Sequence, residues 1–93
     1  MMQPTDLEVG RVYFGLAYED DDCTRPIVHT YEYLGVHADG TLADGKEYLF
    51  RFVGSEDSLQ LKEQQIGYLI LDVPGIAEEL KNWAREKHIK TKN

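Results

Sequence analysis

The chain has 93 residues, of which 42% are hydrophobic and 29% are charged, and its formal net charge is −7. This composition is typical of folded globular proteins and excludes the disordered class, which has too few apolar residues to form a core. The single cysteine excludes an intramolecular disulfide and a four-cysteine zinc site. The acidic balance argues against nucleic acid as a partner, because neutralisation of phosphates drives that kind of binding.

The chain length predicts one domain over residues 1–93. Because the ends of a chain are often poorly ordered, residues 1–6 and 89–93 are predicted to be frayed. The first residues lack the basic and apolar regions of a signal peptide, and no apolar run approaches the roughly 18 residues of a membrane span. We therefore expect a soluble protein of the cytoplasm that has no membrane partner.

The first predicted strand covers residues 11–18, where apolar and other residues alternate. One face carries Val12, Phe14, Leu16 and Tyr18, and the other carries Arg11, Tyr13, Gly15 and Ala17. Gly15 has no side chain to pack, so it predicts either a bulge or the close approach of another backbone.

Residues 26–35 form the longest predicted strand, with a proline at one end and a glycine at the other. Val28, Thr30 and Leu34 alternate with His29, Tyr31 and Tyr33 along it. Because both faces carry β-branched or aromatic residues, we predict that this strand is central in the sheet. We assign the Val28 face to the core, while core and binding roles compete for the face that carries the tyrosines.

A return strand is predicted at residues 47–53, with Tyr48, Phe50 and Phe52 on one face. The intervening segment contains Ala-Asp-Gly twice, and Asp-Gly is a strong turn signal. The sequence therefore predicts an antiparallel hairpin over residues 27–53, with Leu42 tucked inward at its wide end.

The C-terminal third changes its periodicity. A short strand at residues 59–61 precedes the segment 62–71, whose apolar spacing favours a short helix, although its alternation would also suit a strand. Asp72 is placed to cap a second helix that has Pro74 in its first turn and ends near His88. Trp83 is predicted to anchor that helix on the sheet.

These elements together predict an α+β fold. It comprises a bent antiparallel sheet of about four strands, a short helix and a C-terminal helix. Strong bending could close the sheet in the manner of a small SH3-type barrel.

An acidic loop, residues 19–25, connects the first two strands and contains Asp20, Asp21 and Asp22. Carboxylates are ligands for divalent cations, but the spacing of a calcium-binding loop is absent, and adjacent side chains on extended backbone point in opposite directions. We therefore predict a solvated loop without a metal ion.

No catalytic residue or cofactor is predicted. The aspartates before Cys23 oppose formation of its thiolate, and neither His29 nor His37 has the helical partner of a zinc pair. A small metal-dependent or Cys-based enzyme remains the alternative of a different class.

The leading functional hypothesis is a non-catalytic protein-binding module that recognises a basic partner. If Tyr13, Tyr31 and Tyr33 face outward near Glu32 or near Asp20, Asp21 and Asp22, they form an aromatic and acidic patch. Such a patch attracts Lys and Arg side chains through cation–π interactions. The competing interpretations are that these tyrosines line the edge of the core, that the chain neutralises or inhibits a basic protein, or that a homodimer covers the aromatic face.

Overall fold

The computed structural model describes residues 2–38 and 46–87. Its elements are a 3-10 helix (Pro4–Asp6), strands β1 (Val12–Tyr18), β2 (Pro26–Ala38), β3 (Lys46–Phe52) and β4 (Ser58–Leu61), and helices α1 (Glu63–Leu69) and α2 (Val73–Glu86). The strands form one antiparallel sheet in the order β1-β2-β3-β4, which confirms the α+β class. Among the described strands, β1 and β4 lie at opposite edges, so the sheet is open and the SH3-type closure lacks support.

β2 is the central strand, as its sequence predicts. It pairs with β1 on one side and with β3 on the other, and both pairings are antiparallel. The hairpin predicted over residues 27–53 is therefore confirmed. The pairing with β3 shifts register between Tyr33 and Gly35, where Gly35 has a φ of +134° that favours glycine. The two Asp-Gly turns and Leu42 lie outside the described residues.

The buried core lies on the tyrosine face of the sheet, which is the reverse of the predicted orientation. Val28 and Leu34 are 43% and 44% exposed, so their assignment to the core is wrong. The aromatic rings of β2 and β3 instead fill the space beneath α1, because they supply more apolar surface than valine or threonine. The core cluster comprises Tyr13, Tyr31, Tyr33, Tyr48, Phe50, Leu61, Ile66 and Ile70.

Gly15 allows this aromatic layer to approach β1. A Cβ atom at this position would lie 2.8 Å from the hydroxyl oxygen of Tyr31 and 3.3 Å from the carbonyl oxygen of Leu69. The register of β1 with β2 is continuous through Gly15, so the predicted close approach is confirmed and no bulge is present there. The ring of Tyr31 thus packs directly on the backbone of the neighbouring strand.

The segment 62–71 forms α1 followed by one bridge to the sheet. The predicted short helix is confirmed, and Ile66 and Ile70 are fully buried beneath it. Leu71 then exchanges two backbone hydrogen bonds with Phe14, each 2.8 Å long. This bridge occupies part of the outer edge of β1, where unpaired backbone groups would otherwise face solvent.

Helix α2 begins as its sequence predicts. The Asp72 carboxylate accepts the Gly75 backbone N–H at 2.8 Å, and Pro74 lies in the first turn, where its missing N–H costs nothing. The helix contacts β1 and ends at Glu86, and His88 lies outside the described residues. Trp83 is half-buried, and its indole N–H donates to the carbonyl oxygen of Cys23 at 2.6 Å. The hydrogen bond of Trp83 therefore ties α2 to the acidic loop.

The N-terminal segment is folded onto the sheet, although the sequence predicts fraying over residues 1–6. Met2 and Leu7 pack against the core cluster on either side of the 3-10 helix. The hydroxyl of Tyr13 accepts the Glu8 backbone N–H at 2.8 Å and donates to the carbonyl oxygen of Asp6 at 3.3 Å. Tyr13 thus satisfies its hydroxyl while its ring is buried.

Candidate functional site

The three tyrosines predicted to form a binding face are in the core. Tyr13, Tyr31 and Tyr33 are 2%, 7% and 5% exposed, so their expected outward placement is wrong. Tyr31 makes edge contacts with Phe50 and Phe52, at ring-centroid distances of 6.1 and 5.0 Å. Burial raises the pKa of both Tyr31 and Tyr33. These rings stabilise the fold and do not present a surface to a partner.

Glu32 lies on the opposite face of the sheet from these tyrosines. In the strand register it falls in one row with Val12 of β1 and Arg51 of β3. Its carboxylate pairs with the Arg51 guanidinium, and 29% of its side chain is exposed. The structure therefore does not bring Glu32 together with the predicted aromatic patch.

Asp20 organises the acidic loop from within. One carboxylate oxygen accepts the backbone N–H groups of Thr24 and Arg25, at 2.9 and 3.0 Å, and the other accepts the Thr24 hydroxyl. These hydrogen bonds, first of all the one from the Thr24 hydroxyl, lower the pKa of Asp20 because they favour its ionised form. Both carboxylate oxygens of Asp20 therefore accept hydrogen bonds from within the loop. The exposed aspartates of the loop are Asp21 and Asp22.

The loop is also tied to the C-terminal end of α2. Cys23 has a φ of 56°, which is uncommon for a residue with a side chain, and its carbonyl oxygen accepts the Trp83 indole N–H. The Lys87 ammonium donates to the carbonyl oxygen of Asp22. Within residues 2–38 and 46–87, no three His, Cys, Asp or Glu side chains are arranged to hold a metal ion.

Tyr18 is not among the binding residues predicted from the sequence. It nevertheless has the partial exposure and the acidic surroundings that were expected of Tyr13, Tyr31 and Tyr33. It is the last residue of β1, and 37% of it is exposed. Desolvation raises the pKa of Tyr18, and the charges of Cys23, Glu79 and Glu86 raise it further. The negative charges of Glu79 and Glu86 on α2 therefore act on this hydroxyl. The available signal in the sequence was the position of Tyr18 directly before the acidic loop.

We name this region the Tyr18 corner and define it as residues 18–25 with Glu79, Glu86 and Lys87. It contains six acids and two bases, so its formal charge is −4. Arg25 lies 3.8 Å from Glu19, and both side chains are more than half exposed. An accessible aromatic ring thus directly precedes the acidic loop and is influenced by the charges of two carboxylates on α2.

A cleft lies between the 3-10 helix, the start of β1 and the start of α2. Its volume is about 790 Å³, and its lining includes the charged residues Asp6, Arg11 and Asp72. Each of these groups already has a partner in the chain: Asp6 accepts the Gln3 N–H, Arg11 pairs with Glu8 at 2.9 Å, and Asp72 caps α2. This cleft therefore gives a weaker indication of ligand chemistry than the Tyr18 corner.

Comparison of the chain with protein-family models, with curated proteins and with solved structures gives no match. In the described ranges, no helix has the length and apolar character needed to cross a membrane. The function must therefore be argued from the chemistry of the surface.

Proposed function

We propose that this protein is a non-catalytic binding module that takes up a basic segment of a protein partner at the Tyr18 corner. The observation that carries the proposal is the partly exposed ring of Tyr18 within reach of the Glu79 and Glu86 charges. A cation over an aromatic face contributes about 0.5–1 kcal/mol at an exposed site, and neighbouring carboxylates add electrostatic attraction.

Arginine is the side chain that best fits this corner. Its planar guanidinium stacks on an aromatic face while its edge donates hydrogen bonds to carboxylates. Glu79 or Glu86 can supply that acceptor beside the Tyr18 ring. Lysine offers a point charge and no flat surface, so we expect weaker binding of a lysine peptide than of an arginine peptide.

The two bases of the corner do not close it to a partner. Arg25 is 71% exposed in its weak pairing with Glu19, and Lys87 contacts a backbone oxygen of the loop and no carboxylate in the described structure. Exposed ion pairs contribute about 0–1 kcal/mol, so an incoming arginine can displace them at little cost. The remaining excess of acids then determines which partners approach.

The experiment is a titration of the protein with an eight-residue peptide of alternating Arg and Gly, followed by calorimetry and by chemical-shift changes. We expect Tyr18→Ala to weaken binding by about twofold to fivefold, in line with an exposed cation–π contact. Tyr68→Ala is the matched control, because Tyr68 is 74% exposed on α1 and lies outside the corner. A peptide of alternating Glu and Gly should not bind.

Three outcomes separate the hypotheses. Equal affinity of the Tyr18→Ala and Tyr68→Ala proteins would remove the corner as the binding site. If the chain is a diffuse neutraliser of basic proteins, Glu63→Gln on α1 should weaken binding as much as Glu86→Gln does. Our proposal requires a larger loss for Glu86→Gln, with circular dichroism showing that each variant is folded.

A further inference from the structure

Two hydrogen bonds hold the acidic loop against the C-terminal end of α2. The Trp83 indole N–H donates to the carbonyl oxygen of Cys23 at 2.6 Å, and the Lys87 ammonium donates to the carbonyl oxygen of Asp22. Because α2 ends at Glu86, the chain leaves the helix beside the loop. The sequence that follows residue 87 therefore begins at the Tyr18 corner.

That sequence is basic. Residues 88–93, which we name the basic tail, read His-Ile-Lys-Thr-Lys-Asn and contain two lysines and no acid. The dipole of a helix favours cations within its last turn, but Lys90 and Lys92 come four and six residues after Glu86, where α2 ends. The helix dipole thus accounts for Arg85 in the last turn and does not account for the two lysines of the tail.

We propose that Lys90 and Lys92 bind the acids of the Tyr18 corner and compete there with the basic segment of a partner. This regulation rests on the proposed function of the corner. The described corner has six acids and two bases, so it can accept two further positive charges and remain acidic. Asp22 is exposed and its backbone already contacts Lys87, which places its carboxylate within reach of a lysine a few residues later.

The covalent chain keeps both lysines near the loop. A chain advances at most about 3.6 Å per residue, so the Cα atoms of Lys90 and Lys92 lie within about 11 and about 18 Å of that of Lys87. A tether this short gives an effective concentration on the order of millimolar. Lysines that would bind the corner too weakly as separate molecules can therefore compete when they belong to the same chain.

The use of lysine in the tail determines what a partner must offer. A lysine ammonium lacks the planar group of arginine, which stacks on an aromatic ring and donates paired hydrogen bonds to a carboxylate. A partner segment that carries arginine thus displaces the tail, whereas a segment that carries only lysine meets an equal competitor. The tail should therefore sharpen the preference of the corner for arginine.

The first experiment needs no peptide and compares backbone amide NMR spectra. The tail variant is Lys90→Gln/Lys92→Gln. Its matched control is Lys46→Gln/Lys81→Gln, which removes the same charge at two exposed sites outside the corner. We expect the amide signals of residues 20–23 to shift in the tail variant and to stay in place in the control. Unchanged loop signals in the tail variant would overturn the proposal.

The second experiment is the titration of these proteins with the Arg/Gly peptide. Loss of the weak competing ion pairs should lower the Kd of the tail variant by about twofold to fivefold relative to the control variant. The control corrects for the added negative charge, which attracts a basic peptide to either variant. An equal Kd for the two variants would overturn the competition. If the peptide binds none of the proteins, the proposed function fails, whereas shifted loop signals would still support the contact of the tail with the corner.

Discussion

At Gly15, a ring on the neighbouring strand limits the size of the side chain. A Cβ atom there would meet the Tyr31 hydroxyl oxygen at 2.8 Å and the Tyr31 Cε2 atom at 2.9 Å. Gly15→Ala should therefore lower the free energy of unfolding by about 1–3 kcal/mol, the usual cost of overpacking. Urea denaturation of the variant measures this loss.

The Tyr31 contact can be isolated by a double-mutant cycle. In a Tyr31→Phe background the closer of the two contacts, the one to the hydroxyl oxygen, is absent, so Gly15→Ala should cost less there. An identical cost in both backgrounds would mean that the ring carbon Cε2 of residue 31, the Leu69 carbonyl or β1 itself sets the limit at this position.

Asp20 gives a second prediction, for the dependence on pH. Its lowered pKa comes first from the Thr24 hydroxyl, so Thr24→Val should raise the pKa of Asp20 towards its ordinary value, while Thr24→Ser should leave it low. A carbon-detected NMR titration of the Asp20 carboxyl group measures this shift. An unchanged pKa in Thr24→Val would assign the effect to the backbone N–H groups of Thr24 and Arg25.

The sign of the effect on stability follows from linkage. Because the pKa of Asp20 is lower in the folded chain, its contribution to stability is complete above about pH 4, the unfolded value of a carboxyl group. The contribution is lost as the pH falls through the lowered folded value. The Thr24→Val protein should therefore lose less of its stability between pH 4 and more acidic conditions than the wild type does.

At the scale of the elements, the start of α2 depends on one carboxylate. Asp72 accepts the Gly75 N–H at 2.8 Å, so Asp72→Ala should lower the free energy of unfolding by about 0.5–2 kcal/mol. Asp72→Asn keeps a side-chain oxygen acceptor and should lose much less. Thermal unfolding of the three proteins compares them, and equal losses for alanine and asparagine would show that the charge, and not the hydrogen bond, matters.

The sequence identifies the elements more completely than it identifies their orientation. Alternation of residue types predicts β1, β2 and β3, and the Asp72-Val73-Pro74 segment predicts the start of α2, because these signals are local. Which face of the sheet meets α1 is decided by packing between distant segments. Ile66 and Ile70 settle that choice in the structure, and no local pattern in β2 contains this information.

For the candidate site too, the sequence predicts the local parts but not the contributions of distant segments. The sequence predicts an acidic loop between β1 and β2, and it predicts an aromatic residue near acids. It does not predict that Glu79 and Glu86, which are distant in the chain, influence Tyr18 through their charges. One clue was available in the sequence: Tyr48, Phe50 and Phe52 share a face of β3, and their large rings need a covered surface on the paired strand as well.

At the scale of the whole molecule, negative charge is concentrated at the Tyr18 corner. The corner has six acids and two bases, so it carries −4 of the net −7 of the chain. A basic peptide is attracted by this field, whereas an acidic peptide is repelled by it.

Added salt should therefore weaken the binding of the basic peptide. Between about 20 and 200 mM sodium chloride, screening weakens long-range interactions. We expect the Kd of the Arg/Gly peptide to rise by about tenfold over this range, because the attraction comes from the acids of the Tyr18 corner. Calorimetry at the two salt concentrations measures this change. An unchanged Kd would mean that contacts other than charge attraction hold the peptide.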